Sequence, residues 1–196
     1  MLFRGNRRDP GEGLGIGVST ERRGRRGPRA LLAALLFLLV VGTFLPAAEH
    51  SFVNYDDTLY VTENPRVRQG VSPGGIAWAF RTFRASNWHP LTWISHMIDW
   101  ELYGPNARGH HLTSILLHGG TAFLLFLIWH RMTGAFWSAA AMAALFSVHP
   151  LRVESVVWIA ERKDVLSMFL AAVTLALYVR YVESPRSGRF LAVVGA

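Results

Sequence analysis

Cysteine is missing from all 196 residues, which removes disulfides and thiolate metal sites from consideration. Lysine is nearly missing too, Lys163 being the only one among 20 basic residues. Charge is scarce, at 17% of residues against roughly 25% in an average soluble domain. No H-E-x-x-H zinc motif occurs, which disfavours a zinc membrane protease. Nor is there a repeat at a period of about 20–50 residues, the mark of solenoids and propellers.

What remains is apolar, 51% of the chain, and it comes in blocks. Residues 30–48 hold no charge, enough to cross a hydrocarbon core of about 30 Å at ~1.5 Å per residue. Further blocks cover 112–129, interrupted only by His118, then 135–148 and 165–179. Another begins at Phe190 and stops at Ala196. The expected fold is an all-α integral membrane bundle with about four complete spans and the start of a fifth. Half a span is an unusual stopping point, so the chain reads as the front part of a longer protein.

The net charge of +7 is concentrated ahead of the first block. Eight arginines there face only Asp9, Glu12 and Glu21, so residues 1–29 carry +5 of it. An arginine cluster against a span is a topological signal that stays in the cytoplasm, not a nucleic-acid surface. Residues 30–48 are longer than a signal-peptide core and read as an uncleaved anchor. The expected division is a cytoplasmic tail (1–29), a first span (30–48), an outer loop (49–110) and spans two to five (111–196) around a second outer loop (149–164). The outer loops are near neutral and the inner segments positive, as a multi-pass protein of the inner membrane with its N-terminus inside requires.

Candidate chemistry gathers in the outer loops. In Asn54-Tyr55-Asp56-Asp57, adjacent carboxylates repel and raise the apparent pKa of one, which suits a general base. Helix-capping aspartates in a solvated turn are the equal alternative. Pro90 is expected to open a helix running to about Leu102, with Trp88, Trp93, Trp100 and Tyr103 at the membrane interface. Before it, Gly74-Gly75 precedes a short amphipathic piece over 76–80. In the second loop a continuous helix is expected, with Val153, Val156, Val157 and Ala160 on one face. Glu154, Ser155, Trp158, Glu161 and Arg162 fall on the other. Arg162 and Lys163 there can hold a phosphate, and snorkelling anchors are the plainer alternative. His89 and His149, each preceding a proline at a helix start, are candidates for contacting a polar substrate. Arg66, Arg68, Arg81 and Arg84 can meet phosphate or lipid headgroups. His110, His111, His118 and His130 invite a haem or metal reading, but form no recognised ligand pattern.

Together these segments resemble a family. The ordering is Asn54-Tyr55-Asp56-Asp57, then Trp88-His89-Pro90-Leu91-Thr92-Trp93, then His110-His111-Leu112. The long run from His149-Pro150 through Glu161-Arg162-Lys163-Asp164 to Ser167 is the most specific part. It looks like the N-terminal membrane part of the transmembrane-and-tetratricopeptide-repeat protein O-mannosyltransferases and their bacterial relatives, over roughly residues 52–182. That resemblance implies a GT-C-like bundle and a glycosyltransferase. Such an enzyme moves a hexose, mannose in the family, from a polyprenyl-phosphate carrier to an acceptor hydroxyl, on protein, at the non-cytoplasmic face. It implies Asp56 or Asp57 as base. Arg162 and Lys163 would stabilise the departing lipid phosphate, with His89, His149 and Glu154 as further lipid-phosphate or sugar contacts. No cofactor is fixed by the sequence, and a divalent metal stays open. The implied partners are membrane lipid, the lipid-linked donor and a protein acceptor. The family carries more spans and then helical repeats, absent from these 196 residues. A non-catalytic membrane scaffold with the same fold is the alternative function.

Overall fold

The computed structural model describes residues 26–196, so the arginine-rich tail expected over 1–29 lies almost wholly outside the described residues. Helix α1 (Arg26–Phe44) is built from Leu and Ala, strong helix formers. Pro46 lacks an N–H, and the chain tightens into a 3₁₀ turn (Leu45–Glu49) before leaving the bundle. Three short helices follow in the loop, α2 (Pro65–Arg68), α3 (Pro73–Arg81) and α4 (Pro90–Tyr103). Each has proline in its first turn, where the missing donor costs nothing. The Asn64 side chain caps α2, and Ser72 caps α3 by accepting the Gly75 N–H at 3.0 Å. Gly104, at φ 58°, stops α4 just past the expected end.

Helix α5 (Ala107–Thr133) starts on the Asn106 cap and ends at Gly134, in the left-handed region at φ 72°. It is the central post, packed by α1, α6 (Phe136–Val148) and, after the short α7 (Arg152–Val157), by α8 (Arg162–Glu183). Gly119 and Gly120 make this close approach practicable. A Cβ at 119 would stand 2.9 Å from Phe37 of α1, and one at 120 would stand 2.8 Å from Phe169 of α8. A last helix, α9 (Ser187–Val194), folds beside α8, where Arg189 donates to the carbonyls of Arg180 and Ser184.

Among the described residues, three helical stretches are long and apolar enough to cross a membrane, over Gly27–Glu49, Ala107–Thr133 and Ile159–Glu183. This is an all-α, multi-pass membrane architecture. The expected span at 135–148 is a helix of 13 residues, about 20 Å at ~1.5 Å per residue, so it falls short of a full crossing. Two cores join the long helices. Ala33, Leu36, Phe126 and Ala139 fill one, while Val40, Phe44, Ile115, Val156 and Val165 fill the other.

The loop between α1 and α5 has a core of its own. Tyr60, Val61, Val67, Ala79, Trp93 and Met97 pack together with Ile159 and Ala160 from the other loop. Trp93, expected at the interface, is fully buried there, because the α4 helical turn points it inward with Met97. Trp88 stays exposed and Trp100 half-buried beneath Arg68. The expected continuous helix over 153–160 breaks at Trp158, whose backbone is extended (φ −81°, ψ 119°). Val153 is therefore exposed while Val156, Ile159 and Ala160 go inside.

Candidate functional site

The paired aspartates part company. Asp57 turns inward and is 1% exposed. Its Oδ2 accepts the Val53 N–H at 2.8 Å, and its Oδ1 accepts the Ala160 N–H at 2.9 Å. Burial holds its carboxyl above the ordinary 3.8, against the lowering pull of those two hydrogen bonds and with a smaller push from the Asp56 charge. Both oxygens of Asp57 are thus committed to backbone. Asp56, its neighbour, stays half-buried at the surface.

Residues from three places meet at Tyr60. Tyr60, one helical turn on from Asp56, stacks against His89 at 5.6 Å and Trp93 at 4.9 Å between ring centroids. Lys163, from the start of α8, stands 6.0 Å from the Tyr60 ring and pairs with Glu161 at 2.6 Å. Burial is the largest influence on the Tyr60 phenol and holds it above the ordinary 10.0. Lys163 pulls it down, while Glu161 and Asp56 push it up. His89 is lowered from 6.5 by burial and then by the Lys163 charge, so it is neutral at pH 7. Asp56, Tyr60, His89, Glu161 and Lys163 therefore share one mouth between the two loops. Its one ammonium, Lys163, is paired with the Glu161 carboxylate.

Arg162 is not in that mouth, which corrects its expected place beside Lys163 as a phosphate ligand. Its side chain is fully buried and its fork is already used. Nε donates to Ser114 Oγ and Nη1 to Ser95 Oγ, both at 2.9 Å, and Nη2 donates to the His110 carbonyl at 2.6 Å. Nη1 also pairs with Asp99 Oδ2 at 2.8 Å. The break at Trp158 explains this, since restarting the helix at Arg162 rotates that side chain into the bundle.

His96, Asp99 and His110 form a buried trio whose ligand atoms lie within 4.8 Å of one another. The set does not fit a cation. Arg162 already stands on Asp99 Oδ2, and Asp99 Oδ1 accepts the Thr113 hydroxyl at 2.8 Å. A divalent ion there would compete with the Arg162 guanidinium for Asp99 and leave that buried charge uncompensated.

The other sequence candidates lie apart from the mouth. His149 accepts the Leu151 N–H at 3.3 Å, which makes it a turn residue before α7, and Glu154 is exposed. Among the described residues neither side chain hydrogen-bonds or ion-pairs with Asp56 or Lys163. Arg66, Arg81 and Arg84 are exposed. His118 bonds the Ser147 carbonyl at 3.0 Å, closing the end of α6. A cleft of about 300 Å³ lies between Glu49–Phe52 and Pro105–Arg108 and shares no residue with the mouth. Sequence reading missed Tyr60, His96 and Asp99. The i, i+4, i+7 spacing of His89, Trp93 and His96 would have put these three on one face of α4.

Similarity to known proteins agrees with the resemblance seen in the motifs. The chain is 28% identical over 171 residues to the protein O-mannosyl-transferase Tmtc2 of Drosophila melanogaster, covering 80% of the chain and 17% of that protein. It is 27% identical over 188 residues to a protein O-mannosyl-transferase of Caenorhabditis elegans, covering 89% of the chain and 26% of that protein. It is 28% identical over 189 residues to human protein O-mannosyl-transferase TMTC4, covering 82% of the chain and 25% of that protein. The chain is thus similar along most of its own length to this family, and spans about a quarter or less of the length of these relatives. No family model and no solved structure matches it.

Proposed function

We propose that this chain forms the front, catalytic part of a membrane glycosyltransferase. It moves a hexose, mannose on the strength of its relatives' names, from a polyprenyl-phosphate carrier to a hydroxyl on a protein acceptor. The loop end of the bundle then faces the non-cytoplasmic side of the inner membrane, with the N-terminus in the cytoplasm. The observation that supports this reading is the gathering of Lys163, Glu161 and Asp56 within electrostatic reach of Tyr60, which stacks on His89.

In this reading Asp56 accepts the proton of the acceptor hydroxyl as its oxygen attacks the anomeric carbon. The bond from that carbon to the phosphate oxygen breaks, and the lipid phosphate leaves with the electron pair. Lys163, held by Glu161, stands where that developing charge is stabilised. Tyr60 and His89 offer a flat, partly apolar wall for the sugar. Asp57 keeps the turn in place and does not touch the reacting atoms.

The test is transfer of radiolabelled mannose from polyprenyl-phosphate mannose in membranes containing the protein. Asp56→Asn should lower transfer by about 100-fold or more at equal protein abundance. Unchanged transfer in that variant would remove Asp56 as the base, and no transfer by the wild type would favour the scaffold alternative.

A further inference from the structure

We infer that Arg162 is a positioning residue for this mouth, fixing where Glu161 and Lys163 stand by tying the first turn of α8 to α4 and α5. The inference rests on the glycosyltransferase reading above. Four consecutive residues carry the geometry. Ala160 is held from one side through its N–H by Asp57, and Arg162 is held from the other through its whole guanidinium. Both are buried. Between and beside them Glu161 and Lys163 keep side-chain exposures of 18% and 31% and pair with each other. The segment is pinned at alternate residues, so the two that face the mouth have little freedom to turn.

The clamp has four anchors on two elements. Ser95 and Asp99 belong to α4, the helix whose first residues follow His89. Ser114 and the His110 carbonyl belong to α5. One planar fork with its donors in fixed directions reaches them all, which a single ammonium cannot do. Arg162 therefore joins the element bearing Lys163 directly to the element carrying His89.

Two measurements on the intact membrane protein separate positioning from bulk stability. The first is the rate at which an amine-acylating reagent modifies Lys163, the only lysine, with the N-terminal amine as internal reference. The second is transfer with kcat and KM resolved. The double variant Asp99→Asn with Arg162→Gln removes both buried charges together and is expected to melt close to the wild type. Lys163 in it should nevertheless be modified several-fold faster, and kcat should fall by about 100-fold with the acceptor KM unchanged. Arg162→Lys should not restore kcat. Wild-type Lys163 modification and wild-type kcat in the double variant would overturn the inference. Should that variant unfold, Ser114→Ala removes one acceptor and keeps the ion pair. Faster modification there supports the clamp, and the wild-type rate overturns it. A wild-type protein that transfers no sugar defeats the glycosyltransferase reading, while the Lys163 rate still decides whether the clamp exists.

Discussion

Asp57 and Ala160 lie 103 residues apart along the chain, and the aspartate Oδ1 accepts the alanine N–H at 2.9 Å. That contact divides the labour of the Asp56-Asp57 pair. One carboxylate closes the seam between the loops, and the other is left at the mouth.

Asp57→Asn should therefore act on stability. Both Asp57 oxygens accept N–H groups, whereas asparagine presents an NH₂ to one of them. The expected loss is about 1–3 kcal/mol, read as a lowered melting point in detergent. Asp56→Asn should melt like the wild type while losing transfer.

Metal removal supplies a second check. With Lys163 at the departing phosphate and Asp57 oxygens bound to backbone, transfer is expected to survive a chelator such as EDTA. Loss on chelation and recovery with a divalent ion would displace Lys163 from its proposed role.

His96 sets an acid limit on stability. Burial, then the charges of Arg162, His110 and His89, hold it well below the ordinary 6.5. The unfolded chain thus binds a proton that the folded one refuses. Stability is full above the unfolded value and is lost as pH falls below it, by up to about 1.4 kcal/mol per pH unit. Melting points measured downward from neutral pH should fall, and His96→Gln should flatten that dependence.

Gly119 is expected to tolerate no larger residue. A Cβ would meet the Phe37 ring at 2.9 Å and push α1 away from α5. Gly119→Val should cost about 1–3 kcal/mol by overpacking. Adding Phe37→Ala should recover part of that loss in a thermal melt.

Sidedness is directly testable in a chain that has no cysteine. Thr58→Cys should react with an impermeant thiol reagent from the non-cytoplasmic side, and Thr133→Cys should be protected. The reverse labelling would turn the proposed mouth toward the cytoplasm.

Much of this was legible beforehand. Uninterrupted apolar runs gave the long helices, and Pro90 and Gly104 bracketed α4 almost to the residue, because proline and glycine act through local backbone geometry. What the residues could not show was the direction of Arg162 and Asp57. Both depend on a helix break at Trp158, a residue with no breaker chemistry, and on partners dozens of residues away. Periodicity projects an unbroken helix through that point and turns Arg162 outward. Trp93 went the same way, as an aromatic whose burial is decided by the loop core around Tyr60.

The Asp99–Arg162 pair also has a bearing on biosynthesis. Asp99 and Ser95 are synthesised well before the arginine that satisfies them, and Asp57 waits longer for Ala160. Until the ribosome has delivered the start of α8, the earlier loop holds an unmatched negative charge and an unfinished core. Pairing of the loop's buried charge and completion of the mouth then both wait for the start of α8, and a nascent chain halted before Arg162 would present its loop unfinished.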